Sequence, residues 1–328
     1  MSDVVYEKAV MQGAHSVLGP ASPQAAAITH LALLFFALAA IVWLLVLAFL
    51  AYSVLRPRRL AERDTDARLT RRQTVGVSAA LGLSAIVLLA LGFVDYGTGR
   101  EIETARANSG DTLRIRLTGR QWWWQIQYEQ ATPPYRVTTA NEMHIPLGRP
   151  VLLTLESADV IHSFWAPNLH GKSDLIPSYT SAFLIQADRP GVYRAPCAEY
   201  CGTQHANMAL LIVAQPADSF AAWYANELQD APLPVSTGAA RGREVFLSAA
   251  CPLCHTIRGT PSGGAVAPDL THLATRSTLA AGTIHNDRIG LSGWIANAQG
   301  IKPGNQMPAN LVSGRDLNAL LDYLGTLR

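Results

Sequence analysis

Residues 197–208 read Cys-Ala-Glu-Tyr-Cys-Gly-Thr-Gln-His-Ala-Asn-Met, and a second histidine, His162, stands upstream in the segment Asp-Val-Ile-His-Ser. Thiolate, imidazole and thioether groups are the soft ligands that copper favours among biological metals. One loop with four such groups, joined by the distant imidazole, could close around metal on a rigid β scaffold. A mononuclear blue-copper site uses only one cysteine, so the pair Cys197 and Cys201 predicts two coppers bridged by both thiolates. Because every metal position would be filled, the pattern predicts an electron relay and not a catalyst.

Two plainer interpretations of this loop exist. Cys197 and Cys201 could form a short-loop disulfide beside an incidental His205 and Met208, or the group could hold structural zinc. Met208 is a poor ligand for zinc, and the copper interpretation is therefore preferred.

Short alternating segments surround the copper motif. Leu113, Ile115 and Leu117 alternate with polar residues, Gly and Pro mark the joins, and no long helical pattern intervenes. This pattern predicts a Greek-key β-sandwich or small barrel over 97–230. The residues that follow, 231–237, include two prolines and predict a linker.

Two uncharged apolar blocks precede the β region, at 28–55 and 74–94. A helix needs about 20 apolar residues to cross a bilayer, so both blocks are long enough. The loop 56–73 between them holds seven arginines, which predicts a cytoplasmic loop with both chain ends on the outer side. We therefore expect an outer N-terminal tail over 1–27, retained in the mature protein, and a transmembrane hairpin over 28–96.

A second cysteine pair lies in the C-terminal third of the chain. Cys251-Pro252-Leu253-Cys254-His255 is the C-x-x-C-H attachment signature of c-type haem, in which the thiols bond the vinyl groups and the imidazole reaches the iron. A redox-active C-x-x-C pair is the alternative. Met307 is the expected sixth ligand, because it is the only methionine in this third of the chain and lies in a proline-containing loop. His272 and His285 compete for that role, although both are expected on the surface or in loops.

Several of these features together resemble subunit II of the haem-copper cytochrome c oxidase family over about 25–225. They are the motif C-x-E-x-C-G-x-x-H-x-x-M, the Asp-Val-Ile-His-Ser segment, the Gln-Trp-Trp-Trp run and the two-helix hairpin. The resemblance implies a cupredoxin-like domain with a dicopper CuA centre. The ligands that it implies are the bridging thiolates of Cys197 and Cys201, one imidazole on each copper from His162 and His205, the thioether of Met208 and the main-chain carbonyl of Glu199.

Two further roles follow from the same resemblance. Trp122, the first aromatic of the tryptophan run, would be the electron-entry contact above the copper site, although adjacent tryptophans on a strand also serve as core and surface residues. The Glu199 carboxylate would ligate magnesium at the interface with a partner subunit, since a hard cation prefers carboxylate oxygen.

The sequence departs from the family pattern in two places. The second apolar block lacks the family's Glu followed by Trp-Thr, so the sequence identifies no proton-path carboxylate in that helix. The segment after His162 lacks the usual Pro-Gly-Arg, whereas Lys172, Asp174 and Pro177 match.

Residues 238–328 resemble a class I cytochrome c. They contain an N-terminal helical piece, the haem motif, the segment Ala-Pro-Asp-Leu at 267–270, the Met307 loop and a C-terminal helical piece, so a small all-helical domain is expected. The resemblance implies that the Pro268 carbonyl accepts a hydrogen bond from His255 and fixes its orientation.

Composition agrees with a membrane protein. Charged residues are 15% and hydrophobic residues 49% of the chain, and the net charge of +2 implies no general attraction to nucleic acid. We therefore predict a multidomain membrane protein with a two-helix transmembrane hairpin, a cupredoxin-like Greek-key β-sandwich or barrel and an all-α cytochrome c domain. Its predicted location is the bacterial inner membrane, with the copper and haem domains on the periplasmic side.

The predicted function is electron entry into a respiratory terminal oxidase. Electrons from a soluble or membrane cytochrome c, or from an upstream respiratory complex, would pass through haem c and the dicopper centre to the haem-copper catalytic subunit I. That subunit, with further oxidase subunits, would reduce oxygen to water with proton translocation.

Other functions share some of these features. The electron-input subunit of a CuA-containing nitric-oxide reductase is the alternative, and only the partner subunit would distinguish it. A nitrous-oxide reductase is disfavoured because the chain has no His-rich catalytic cluster, and a quinol oxidase subunit because it would have no use for the copper ligands. The two ligand sets also argue against a purely structural membrane anchor.

Overall fold

The computed structural model describes residues 15–56, 67–107, 112–129, 137–309, 312 and 314–328. These residues form two compact units, of which one is Ala26–Ser109 and the other contains the remainder. The predicted N-terminal tail up to residue 14 lies outside the described residues, as do the loop arginines Arg58, Arg59 and Arg63.

Two long helices contain the apolar blocks. Helix α1 spans Pro23–Leu55 and helix α2 spans Ala67–Ala107. Both are long and apolar enough to cross a membrane, and large side chains such as Phe36 of α1 and Phe93 of α2, 70% and 76% exposed, project outward from them. Such a surface is stable in lipid and costly in water. The helices extend beyond the predicted blocks, because hydropathy marks only the apolar part of a helix whereas its backbone hydrogen bonds continue into polar residues.

The second unit begins with a β domain, as predicted. Its strands are β1 Leu113–Arg120, β2 Trp123–Tyr128, β3 Val137–Ala140, β4 Glu142–Pro146, β5 Val151–Ser157, β6 His162–Trp165, β7 Lys172–Leu175, β8 Ser181–Ile185, β9 Gly191–Pro196 and β10 Ala209–Gln215. They form a five-stranded sheet in the order β3-β2-β1-β5-β8, a three-stranded sheet in the order β4-β10-β9, and the separate pair β6-β7.

One core fills the space between these sheets. Leu113, Ile115 and Leu117 are buried on the same face of β1, as their alternation predicts. Helix α3, Ala217–Glu227, closes the domain and brings Phe220 and Trp223 against the buried ring of Tyr128. The predicted cupredoxin-like β-sandwich is thereby confirmed, and its core includes Cys197, Cys201 and Met208 of the copper motif.

The C-terminal domain has a second, separate core. Its helices are α4 Thr237–Ser248, α5 Cys251–Cys254, α6 Arg288–Ile301 and α7 Gly314–Leu324. Helices α4 and α7 cross at Gly242, where a β-carbon would lie only 1.9 Å from the carbonyl oxygen of Ala319. Only glycine therefore permits this close helix crossing.

The all-helical prediction for this domain misses one feature. A hairpin pairs β11, Thr278–Leu279, with β12, Ile284–His285. Strands of two residues carry no readable alternation, so the sequence gives no periodic signal for them.

Candidate metal and haem centres

The copper motif forms the loop between β9 and β10. Its first cysteine follows the last residue of β9, and the amide of Cys197 donates to the carbonyl of Met208 over 2.8 Å, which closes the loop on itself. The amide of Ala198 donates to the carbonyl of Ser163 over 3.0 Å, so the loop is also attached to β6. His162 is the first residue of β6 and therefore faces the loop.

The predicted ligands converge on the two cysteine sulfurs. The two Sγ atoms are 3.8 Å apart, and neither is in a disulfide. His162 Nδ1 lies 4.0 Å from Cys197 Sγ, and His205 Nδ1 lies 3.7 Å from Cys201 Sγ. Met208 Sδ lies 3.9 Å from Cys201 Sγ. The structure thus brings two thiols, two imidazoles and a thioether to one place, and this donor set fits copper better than zinc.

The remaining predicted ligand is a main-chain oxygen. The carbonyl of Glu199 lies 3.3 Å from Cys197 Sγ, on the inner side of the loop. The carboxylate of the same residue points elsewhere and lies 3.6 Å from Lys172 Nζ, and both side chains are partly exposed. Glu199 therefore has its main-chain carbonyl close to the cysteine sulfur and its side-chain carboxylate close to Lys172.

Asp159 orients His162, a role that the sequence analysis did not assign. The Nε2 atom of His162 lies 2.8 Å from Asp159 Oδ1, and the carboxylate also accepts the amides of Gln121 and Val160 over 2.7 Å each. Because a carboxylate can only accept, Nε2 carries a proton, and Nδ1 is the ring nitrogen that faces the sulfur atoms. The sequence does contain one indication of this role, because Asp159 lies three residues before a histidine that begins a strand.

Hydrogen bonding between the two cysteines shifts the pKa values of their thiols in opposite directions. The contact with Cys201 is the largest cause that lowers the pKa of the Cys197 thiol, and the hydrogen bond with His162 lowers it further. The same contact raises the pKa of the Cys201 thiol. Ionisation of one thiol therefore disfavours ionisation of the other, whereas a cation between the two sulfur atoms would stabilise both thiolates.

Gly119 gives His162 its space. A β-carbon at this position of β1 would lie 2.7 Å from Cδ2 and 2.9 Å from Cγ of the imidazole. The glycine is needed for close approach, and nothing in its local sequence signals this, because His162 lies more than forty residues away.

The three tryptophans have three different environments. Trp124 is fully buried in the β core, and Trp123 lies beneath the guanidinium of Arg120 at 5.6 Å. The indole Nε1 of Trp122 donates to the carbonyl of Cys201 over 2.9 Å. The alternation of core and surface aromatics is therefore present, and the first tryptophan also contacts a predicted copper ligand.

The haem motif lies at the wall of a cavity in the C-terminal domain. Cys251, Cys254 and His255 line this cavity together with Met307. Both thiols are free, so no disulfide competes with thioether bonds to haem. His255 Nδ1 lies 2.7 Å from the carbonyl of Pro268, which fixes the ring and leaves Nε2 free to bind a metal. Burial lowers the pKa of His255 and so favours the neutral imidazole that metals require.

Arg276 supplies an independent test of whether haem fits. Its side chain lines the cavity, and among the described residues its buried Nε has no hydrogen-bond partner. A buried guanidinium nitrogen without a partner is costly, and a carboxylate bound in the cavity would satisfy it. The two propionate groups of haem are such carboxylates, and the cavity therefore fits that group.

The competing histidines lie away from the sixth-ligand position. His272 is only 2% exposed, with Nε2 3.1 Å from the carbonyl of Gln229, and does not line the cavity. It lies in a turn, as expected, but it is not on the surface, because it is buried against the segment that follows α3. His285 belongs to β12 and does not line the cavity either.

The β domain and the C-terminal domain meet directly within their unit. Trp122 and Gln121 of the β domain line the haem cavity beside the haem motif. The carboxylate of Glu142 accepts the amide of Ser277 over 3.0 Å, and the amide of Ala209 donates to the carbonyl of Ala281 over 3.0 Å. These contacts place the predicted copper and haem sites on either side of one tryptophan.

Comparison with known proteins gives two matching families. Residues 131–215 match the family described as cytochrome c oxidase subunit II, periplasmic domain, and residues 239–328 match the family described as cytochrome c. The chain is 38% identical over 219 residues to cytochrome c oxidase subunit 2 of Alkalihalophilus pseudofirmus, a match that covers 66% of this chain and 62% of that protein. It is 28% identical over 228 residues to cytochrome c oxidase subunit 2 of Bacillus subtilis, covering 66% and 63%. The matched region thus spans less than two thirds of each relative.

A solved structure is similar to part of the chain. The periplasmic domain of subunit II of cytochrome oxidase from Bradyrhizobium japonicum is 28% identical, with a TM-score of 0.32, and the match covers 35% of this chain and 92% of that structure.

Proposed function

Starting from a chain that joins the periplasmic domain of cytochrome c oxidase subunit II to a cytochrome c domain, we propose that it is the electron-entry subunit of a respiratory terminal oxidase. It would take electrons from a cytochrome-type donor, relay them through haem c and a dicopper CuA centre, and deliver them to a haem-copper catalytic subunit. That partner would reduce oxygen to water with proton translocation.

Two ligand sets would hold the two groups. Cys197 and Cys201 would bridge the coppers, with the remaining copper ligands supplied by His162, His205, Met208 and the carbonyl of Glu199. Cys251 and Cys254 would bind haem covalently, with His255 and Met307 on the iron. When bound, each of these groups accepts and releases one electron at a time without an open position for substrate.

Trp122 is the observation that carries the proposal. Its indole nitrogen donates to the carbonyl of Cys201 over 2.9 Å, while its ring lines the cavity that contains Cys251 and His255. Trp122 is only 9% exposed. A single side chain therefore connects both sites, and it supports a role for Trp122 as the electron-entry residue, with the fused haem domain as its immediate donor.

The outer face of the copper loop would contact the catalytic partner. The carboxylate of Glu199 and the side chains of Lys172 and Asp174 form a partly exposed charged group, in which Lys172 Nζ lies 3.5 Å from Asp174 and 3.6 Å from Glu199. In this proposal the Glu199 carboxylate exchanges its exposed lysine contact for a magnesium ion at the subunit interface.

The two apolar helices would anchor the chain in a bacterial inner membrane. Helices α1 and α2 are membrane-capable, and the matched periplasmic domain lies on the C-terminal side of α2. The copper and haem domains would then face the periplasm, where a cytochrome donor can reach them.

The test is oxygen consumption by the purified complex supplied with reduced cytochrome c. We expect oxygen uptake by the wild-type complex and its loss in a complex with Cys197→Ser and Cys201→Ser, because these changes remove the proposed copper ligands of this chain and leave the partner's own copper in place. A complex that consumes nitric oxide but no oxygen would assign the chain to a nitric-oxide reductase instead. A complex that consumes neither gas would reject electron entry as the function.

A further inference from the structure

Lys302 is a basic residue buried between the two outer domains, and burial lowers its pKa to about 7. It follows α6, and only 2% of its surface is exposed. A lysine is almost never fully buried unless its ammonium is paired, because desolvation of the charge is costly. Its surroundings therefore require an explanation.

The Lys302 ammonium has an acceptor for each of its three N–H groups. Nζ lies 2.8 Å from the carbonyl oxygen of Trp122 and 2.6 Å from that of Asn207, both in the β domain. It lies 3.0 Å from the carbonyl of Ala280, in the C-terminal domain. An ammonium has three donors and no acceptor, so these three carbonyls satisfy it completely.

The acceptors belong to functionally distinct segments. Trp122 is the proposed electron-entry residue, and Asn207 lies in the copper loop immediately before Met208. Ala280 lies in the hairpin turn between β11 and β12. One cation therefore ties the copper loop, the tryptophan and the haem domain together.

The same lysine begins the loop that contains Met307. The next residue, Pro303, accepts a hydrogen bond through its carbonyl from Gln204 Nε2 over 2.8 Å. Gly304 has a φ of +85°, and a β-carbon there would lie 3.7 Å from the Trp122 ring. The first three residues of the loop that contains Met307, which are Lys302, Pro303 and Gly304, therefore contact the copper loop and Trp122.

We propose that Lys302 is a positioning residue: its buried ammonium holds the methionine loop of the haem domain against Trp122 and so sets the rate of electron transfer from haem to copper. The proposal rests on the proposed function, because it assigns a role within that relay. In the step concerned, one electron leaves reduced haem, which is oxidised, and enters the oxidised copper pair, which is reduced; no proton or bond is transferred.

The experiment compares three variants of the full chain, purified with both metal centres. Lys302→Met removes all three donors at similar length, and Lys302→Gln keeps two. Arg241→Met is the matched control, because it removes one positive charge from an exposed position of α4 that pairs with Asp316 in the same domain. Optical and electron paramagnetic resonance spectra first establish that haem and copper are bound.

The rate is measured after a light flash reduces the haem, by following haem oxidation and copper reduction together. We expect transfer in Lys302→Met to be about tenfold slower or more, equivalent to about 1.4 kcal/mol of added activation free energy, because the loop is no longer held against Trp122. Lys302→Gln is expected to be intermediate, and Arg241→Met to match the wild type. A Lys302→Met rate equal to that of the wild type overturns the proposal.

Hydrogen–deuterium exchange gives a second readout that does not depend on electron transfer. The amide of Ala209, which donates across the interface to Ala281, is expected to exchange slowly in the wild type and faster in Lys302→Met. Rapid exchange in the wild type would mean that the domains are not held together and would overturn the proposal. A wild-type chain with slow exchange but no electron transfer from haem to copper would reject the proposed function itself, and with it the role of Lys302.

Discussion

At the scale of single residues, Asp159 decides which nitrogen of His162 faces the sulfur atoms. Its carboxylate accepts from the imidazole Nε2 over 2.8 Å and from two main-chain amides. Outer hydrogen bonds of this kind orient the ligand and raise its basicity. The local sequence supplied the residue, but only the structure shows that its oxygen reaches the ring.

Replacement of Asp159 by Asn is therefore expected to weaken copper binding. An amide lacks the negative charge and no longer fixes the Nε2 proton, so we expect the affinity for copper to fall about 10- to 100-fold. Competition with a copper chelator, followed by the copper spectrum, measures this. Asp188→Asn, at an exposed position of the same domain, is the control; equal affinities in the two variants would contradict the role of Asp159.

A second prediction at this scale concerns the close contact between Gly119 and the imidazole of His162. In Gly119→Ala the new methyl group would lie 2.7 Å from the His162 ring, which must turn away from the copper site. We expect lower copper occupancy and an altered electron paramagnetic resonance spectrum, with the haem spectrum unchanged. Gly263→Ala, where no atom lies within 4 Å of the added carbon, serves as the control. An unaltered copper signal in Gly119→Ala would refute the argument.

At the scale of elements, helix α3 ends in a buried carboxyl group at the domain boundary. Burial raises the pKa of Glu227 to about 7, against the opposing effect of Arg276 and Arg258. The guanidinium of Arg258 also donates to the main-chain carbonyl of Glu227. This carboxyl group consequently holds its proton in the folded protein at pH values where the unfolded chain has lost it.

The free energy of unfolding therefore depends on pH, because the folded and the unfolded chain bind this proton with different affinity. Below about pH 4.5 the carboxyl group is protonated in both the folded and the unfolded chain, so it does not change the free energy of unfolding. Between about pH 4.5 and 7 the carboxyl group ionises only in the unfolded chain. The free energy of unfolding therefore falls as the pH rises through this range. The loss is about 3 kcal/mol, and it is absent in Glu227→Gln. Unfolding midpoints of wild type and variant, measured at pH 4.5 and 7.5, are expected to diverge in favour of the variant at the higher pH. A difference that does not change with pH would contradict the buried neutral carboxyl group.

The elements also show what the sequence could and could not predict. Alternation in β1 and the apolar blocks of α1 and α2 predicted the correct element types, because burial and lipid exposure leave a local pattern. The start of α1, both bounds of α2 and the hairpin at Thr278–His285 were not predicted. Helices continue past their apolar cores, and a hairpin with two-residue strands depends on contacts with distant chain segments.

At the scale of the whole molecule, the sequence predicted that the candidate copper ligands lie together, but it did not predict how the β domain and the C-terminal domain contact each other. The spacing of Cys197 to Met208 predicts the copper ligands, since one loop contains most of the proposed set, and the structure brings those side chains close together. The hydrogen bond between Lys302 and Trp122 joins residues 180 positions apart. A local sequence pattern cannot predict a contact between residues so far apart in the chain. The arrangement of the two outer domains, and hence the position of Trp122 between them, emerges only from the folded chain.

The most direct test of the central claim is the electron paramagnetic resonance spectrum of the purified chain, combined with metal analysis and optical spectra before and after reduction. We expect two coppers per haem, a multi-line copper signal from one electron shared by both coppers, and a reduced c-type haem band. A single-copper signal, zinc in place of copper, or a fully matured chain without copper would contradict the central claim and leave a membrane-tethered cytochrome.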